Sequence, residues 1–104
     1  MVIAREIGDR RGEGNALGNL GLACADLGEP RKAIGFYGQQ LAIVREIGDR
    51  RGEGASLGNL GLAHAAVGER RKAIAHAEQA VEIFEQIESP HAAKARTLLE
   101  ALRK

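Results

Sequence analysis

Three histidines and one cysteine are the side chains in this sequence best suited to hold a metal or to attack a substrate. Zinc chelation on a helix or turn uses ligands three to five residues apart. His64, His76 and His91 are 12 and 15 residues apart, so no metal site is expected. A catalytic Cys–His dyad would need Cys24 and His64 to meet beside a third, orienting group. The two instead stand 40 residues apart at equivalent places of the repeat described below, where each reads as a core residue. The glycines Gly12 and Gly14 could suggest a phosphate-cradling loop. No predicted strand precedes them and no Gly-Lys-Ser/Thr follows, as such a loop requires. Neither a catalytic residue nor a cofactor is expected, and the chain does not read as an enzyme.

Charge excludes another class. The chain carries 15 basic and 14 acidic residues, for a net charge of +1. The pairs Arg10-Arg11, Arg50-Arg51 and Arg70-Arg71 each have a Glu or Asp within a few residues. That mixed field suits a solvated face, not the basic stripe of a nucleic-acid binder. No run of about 18 apolar residues is present to cross a membrane. With Cys24 alone, no intrachain disulfide can form, and a reducing, cytoplasmic setting is expected. What remains is recognition chemistry. The amides of Asn15, Asn19 and Asn59 offer donors and an acceptor together, which can pair with the main chain of an extended peptide.

The elements that must position those amides come from a duplication. Residues 3–42 align with 43–82 at a shift of 40 without a gap, and 26 of the 40 positions are identical. Arg5–Gly14 recurs unchanged as Arg45–Gly54, and Leu17–Ala23 as Leu57–Ala63. Each copy holds two apolar stripes at spacings of three and four, the signature of amphipathic helices. The first runs through Leu17, Leu20, Gly21, Cys24 and Leu27, and recurs as Leu57, Leu60, Gly61, His64 and Val67. The second is Ala33, Ile34, Tyr37, Leu41, Val44 and Ile47, recurring as Ala73, Ile74, Ala77, Val81, Phe84 and Ile87. Hydrophobic residues make up 44% but aromatics only 3%, so the core must be aliphatic and alanine-rich.

Punctuation sets the boundaries. Gly28, Gly48 and Gly68 suit the left-handed residue that closes a helix, and Gly8 is expected to act likewise. Pro30 fits a first helical position, while Asp9, Asp49 and Ser89 read as N-caps. The map is a half helix at about 2–7, helices at about 10–27, 30–47, 50–67 and 70–87, and a last one at about 90–103. Connections of two or three residues make neighbours antiparallel.

These residues resemble the tetratricopeptide signature: Leu17 at its bulky opening position, Leu20-Gly21 at its Leu-Gly pair, and Ala33 with Tyr37 at its later Ala and aromatic. Two departures stand out. Cys24 or His64 replaces the expected tyrosine, and Arg45 or Glu85 replaces the closing proline, so the helix runs on and the period is 40 instead of 34. The longer form looks like the repeats of kinesin light chains and Pins-type polarity adaptors, which carry similar Asn-Leu-Gly runs and Gly-Asp turns. Similar repeats also occur in large bacterial signalling NTPases. The resemblance implies an all-α, right-handed superhelix of antiparallel hairpins, an α-solenoid whose first helices line a concave binding face.

On that reading the chain is a single domain: residues 1–8 a partial helix of a preceding repeat, 9–48 and 49–88 two repeats, and 89–104 a capping helix. Opposite the first stripe lie Asn15, Asn19, Leu22 and Asp26, and in the second copy Asn59 and Leu62. These six are the expected peptide-binding residues on the concave face. The expected partner is a protein or peptide, not a nucleic acid or a membrane. Ala95, Leu98, Leu99 and Leu102 should cover Ile83, Phe84 and Ile87 as a cap. The opposite end has only Val2, Ile3 and Ile7 to shield it, so a homodimer through residues 2–24 is a further expectation.

Overall fold

The chain reverses direction every 20 residues, at Gly28, Gly48, Gly68 and Glu88, each with a positive φ. Every reversal uses the same two hydrogen bonds. At the first, the Glu29 N–H donates to the Cys24 carbonyl at 2.8 Å and the Gly28 N–H to the Ala25 carbonyl at 3.0 Å. This is a Schellman closure, and it recurs at the other three reversals, where Ser89 N–H to Phe84 carbonyl spans 2.8 Å. Glycine takes the left-handed conformation without a Cβ clash; Glu88, at φ 55°, does not have that freedom.

A computed structural model describes residues 2–104, with side chains from Gly8 onward. It contains helices α1 (Val2–Asp26), α2 (Pro30–Glu46), α3 (Arg50–Ala66), α4 (Arg70–Gln86) and α5 (His91–Arg103), and no strand among the described residues. Pro30 opens α2 as expected. The Asp49 carboxylate caps α3 by accepting from the Gly52 N–H at 3.0 Å. The Ser89 hydroxyl accepts from the His91 N–H at 3.1 Å, and α5 starts one residue later than the sequence suggests.

One expected turn is absent. Gly8 and Asp9 lie inside α1, which runs unbroken where a half helix and a cap were expected. Yet Arg5–Gly14 and Arg45–Gly54 are the same ten residues. The difference is tertiary. At the second site α2 packs on α3, and ion pairs Arg45–Glu53 (3.0 Å) and Arg11–Asp49 (3.1 Å) fasten the bend. At the first site the helical hydrogen-bond ladder continues through the same residues. The side chains of Val2, Ile3 and Ile7, on which the N-terminal shielding expectation rests, lie outside the described residues.

Successive helices pack on one another, α1 on α2, α2 on α3, α3 on α4 and α4 on α5, and the core threads between them. Close approach depends on missing side chains. A Cβ on Gly21 would lie 2.5 Å from Tyr37 Cε1, and one on Gly54 2.7 Å from Phe84 Cε1. The second-helix stripes are buried at Ala33, Tyr37, Leu41, Val44, Ala73, Ala77 and Phe84, whereas Ile87 is exposed at its turn. The two copies of the first stripe differ. Leu60 is 4% exposed but Leu20 is 48% exposed, and Leu27 is 76% exposed. α3 is held between α2 and α4, whereas the main packing of α1 among the described residues is on α2. α5 lies on α4 through Ala92, Ala95 and Leu99, with Arg103 bonded to Glu78 at 2.8 Å and Arg70 Nε to the Leu102 carbonyl at 2.8 Å.

Candidate functional site

Small residues along one side of α3 leave room for a groove. Gly54, Ala55 and Gly58 line it, and a Cβ on Gly58 would meet nothing within 4 Å. Phe84 of α4 forms the floor, because Gly54 lets its ring reach beneath α3. α5 supplies the far wall with His91, Lys94 and Leu98, and the His91 ring sits 5.6 Å from Phe84 at a tilt of 51°. Leu62 and Asn59 complete the α3 wall. The groove encloses about 320 Å³, the lower range of sites that hold small ligands or single anchoring side chains.

Its electrostatics are one-sided. Arg51 and Lys94 are the permanently charged groups lining it, and no carboxylate does. Neither cation belongs to an ion pair among the described residues. The repeat explains why Arg51 is unpaired. Its counterpart Arg11 bonds Asp49 at 3.1 Å, but 40 residues after Asp49 stands Ser89, which has no charge to offer.

Of the residues expected on the concave face, Asn59 and Leu62 meet in this groove, Leu62 with 56% of its surface exposed. Asn15, Asn19, Leu22 and Asp26 are all exposed on α1 but do not line it. Sequence reasoning missed Arg51, Phe84, His91, Lys94 and Leu98 as groove residues. The signal was the same shift of 40, which sets Arg51, Gly54 and Gly58 against His91, Lys94 and Leu98 and so makes α5 a third first helix.

The other titratable groups gather elsewhere. His64 is buried at 7% exposure, its Nδ1 lies 2.9 Å from Glu69 Oε1, and its ring stacks on His76 at 5.1 Å. The hydrogen bond from His64, helped by Lys72, holds the Glu69 carboxyl below its usual range. Burial, then the charges of His64, Arg45 and Lys72, lowers His76, whose Nδ1 is buried without a partner. Spacing did not foretell this cluster, since turn and helix bring 64, 69 and 76 together. Among the described residues no three His, Cys, Asp or Glu are arranged to hold a metal ion. Cys24 packs half-buried against the core. Among the described residues no helix is long and apolar enough to cross a membrane.

Helical hairpins repeating at a fixed period, with first helices side by side over second helices, define a helical-repeat solenoid. The family model described as Tetratricopeptide repeat matches residues 12–86, and the chain belongs to that family. No curated protein matches it significantly. Repeats of this family are generally protein–protein interaction modules and typically non-enzymatic scaffolds.

Proposed function

We propose that the chain is a protein-interaction module that takes a peptide segment of a partner along the side formed by α1, α3 and α5. One observation carries this reading: the open groove at α3 and α5 sets the Asn59 amide and the exposed Leu62 beside an aromatic floor. An amide can pair with a peptide main chain while Leu62, Phe84 and Leu98 take an apolar side chain. Asn15, Asn19, Leu22 and Asp26 extend the same strip along α1. The 40-residue period and the Asn-Leu-Gly runs support a kinship with the kinesin light chain and Pins-type repeats. Repeats of this family are typically non-enzymatic scaffolds, which supports reading the chain as a scaffold. Peptides selected from a random library should shift the backbone amide resonances of Asn59 and Leu62, and Asn59→Ala with Leu62→Ser should weaken them roughly tenfold. Shifts confined to the outer faces of α2 and α4 would overturn the reading.

A second reading, self-association, is favoured by the bare face of α1. Leu20 is exposed where Leu60, at the same place of an identical heptapeptide, is buried, and Leu27 is exposed one stripe position further on. Exposed apolar area forgoes about 25 cal/mol per Å², which a second copy could recover. Sedimentation over a concentration series tests it, and a monomer throughout would remove it.

A further inference from the structure

One stripe of α1 lies open although its copy on α3 is closed. Ala16, Leu20, Ala23 and Leu27 follow one another at spacings of four, three and four, so they share one side of the helix. All four are exposed, Leu20 at 48% and Leu27 at 76%. At the same places of the second copy, Ser56, Leu60 and Ala63 are buried, at 0%, 4% and 5%. The pattern that closes a helix-to-helix contact in one copy thus faces solvent in the other.

A charge beside the stripe is also short of a partner. Glu53 takes Arg50 of its own helix and Arg45 of α2, each at 3.0 Å, and its side chain is 13% exposed. Its counterpart Glu13 takes only Arg10 of its own helix, at 2.6 Å, and is 53% exposed. No second helix brings Glu13 the arginine that Glu53 receives. Past the other end of the stripe, at the start of α2, Arg31 is exposed and belongs to no ion pair among the described residues.

These features select one partner and one orientation. When two α1 helices pair antiparallel about a twofold axis, each large residue can face a small one: Leu20 the partner's Ala23, and Leu27 the partner's Ala16. Leucine against alanine lets the two helices approach closely. That register carries Glu13 beyond the end of the partner's α1 to the start of its α2, where Arg31 stands. The twofold makes this contact twice. A parallel pairing would instead set Leu20 on the partner's Leu20, and Glu13 and Asp26 each on its own like, which opposes association.

Resting on the self-association reading above, we propose that this stripe is the seam of a homodimer, two α1 helices running antiparallel, with Leu20 and Leu27 seated on the partner's Ala23 and Ala16 and Glu13 paired with the partner's Arg31. The seam is one helix wide, at the small end of specific interfaces, so the dimer forms at roughly micromolar concentration or above. None of these residues lines the groove at α3 and α5, so the dimer carries two open grooves.

Sedimentation of the full chain over a concentration series tests the seam. Every position changed is exposed, so an unchanged melting temperature verifies that each variant folds. Leu20→Glu with Leu27→Glu should leave a monomer. Glu13→Lys alone sets a lysine on the partner's Arg31, and Arg31→Glu alone sets a glutamate on the partner's Glu13. Each should weaken the dimer roughly tenfold, since two exposed attractions become repulsions. An equal mixture of those two variants has opposite charges at both contacts again and should recover the original association. Mixing cures only a contact between chains, not a defect within one. A dimer that survives the leucine substitutions would overturn the seam and leave self-association standing elsewhere on the molecule. A dimer that neither charge variant weakens, or that the mixture fails to recover, would overturn the antiparallel pairing. A monomer at every concentration would remove self-association and the seam together.

Discussion

Leu20 and Leu60 occupy the same place in an identical heptapeptide, Leu17–Ala23 and Leu57–Ala63, so replacing each by alanine isolates the effect of a neighbouring helix. Helix propensity cancels in the comparison, because each substitution exchanges the same residues within the same flanking sequence. Leu60 is 4% exposed, held between α2 and α4, and truncating a side chain so enclosed costs about 2–5 kcal/mol. Leu20 already has 48% of its surface in water, and its truncation leaves an open notch instead of a sealed cavity. Half of the transfer term of a leucine at about 25 cal/mol per Å² is about 1 kcal/mol or less. Leu60→Ala should therefore lower stability by at least about 1 kcal/mol more than Leu20→Ala. For a domain of this size that is a gap of roughly 4–8 °C in melting temperature. Urea and thermal unfolding followed by circular dichroism, at low protein concentration, read both values. Equal losses would refute the argument that α1 has a bare flank. If they were equal only at high concentration, a second copy would be covering Leu20.

Two further predictions follow from local features. Glu88 holds a left-handed φ of 55° at the position where the three preceding turns have glycine. Glu88→Gly should raise stability by about 0.5–1 kcal/mol, relief of that strain outweighing the greater freedom of glycine in the unfolded chain; a loss on denaturant unfolding would refute it. His76 is lowered from its usual 6.5 by burial and Glu69 from its usual 4.5 by its bond to His64, so in both cases the unfolded chain binds protons more readily. Stability should be full above pH 6.5, fall as pH drops through His76's lower folded value, and fall again as Glu69 is protonated. His76→Leu should remove the upper limb and keep the lower one in a series of unfolding curves against pH.

The frame of the fold was legible because its signals are local. Gly28, Gly48 and Gly68 marked three of the four reversals, and the spacing of three and four marked the faces that meet. Burial was less legible, since a stripe shows which side of a helix is apolar but not how many neighbours cover it. Leu20 and Leu60 look alike in sequence and differ only in the helix beside them. The identical decapeptides Arg5–Gly14 and Arg45–Gly54 make the same point for the backbone: one is straight helix, the other bends at Gly48. Glycine and aspartate permit that bend, but packing of α2 on α3 decides it. In the candidate site, Asn59 and Leu62 followed from helical geometry, whereas α5's share required treating residues 91–98 as a third copy that has drifted.

That drift shapes the groove within an otherwise duplicated chain. The 26 positions shared by the two copies include residues that make helices meet and turns close, Leu57, Gly61, Ala73, Gly68 and their counterparts, and also the groove residues Asn59 and Leu62. Positions that build a scaffold are held alike because each repeat must present the same faces to its neighbours. The groove adds to its shared Asn59 and Leu62 a set of residues at which successive copies depart from one another. Val44 becomes Phe84 and makes an aromatic floor; Asp49 becomes Ser89 and frees Arg51; Gly54 becomes Lys94 and adds a cation; Gly58 becomes Leu98 and raises a wall. Ser89, Lys94 and Leu98 stand on exposed or partly exposed positions, and the buried Phe84 is accommodated beneath Gly54. Together they turn a bland seam between helices into a groove with one sign of charge. Returning them to the first copy's residues should diminish the peptide-induced amide shifts of Asn59 and Leu62 while the circular-dichroism spectrum stays helical.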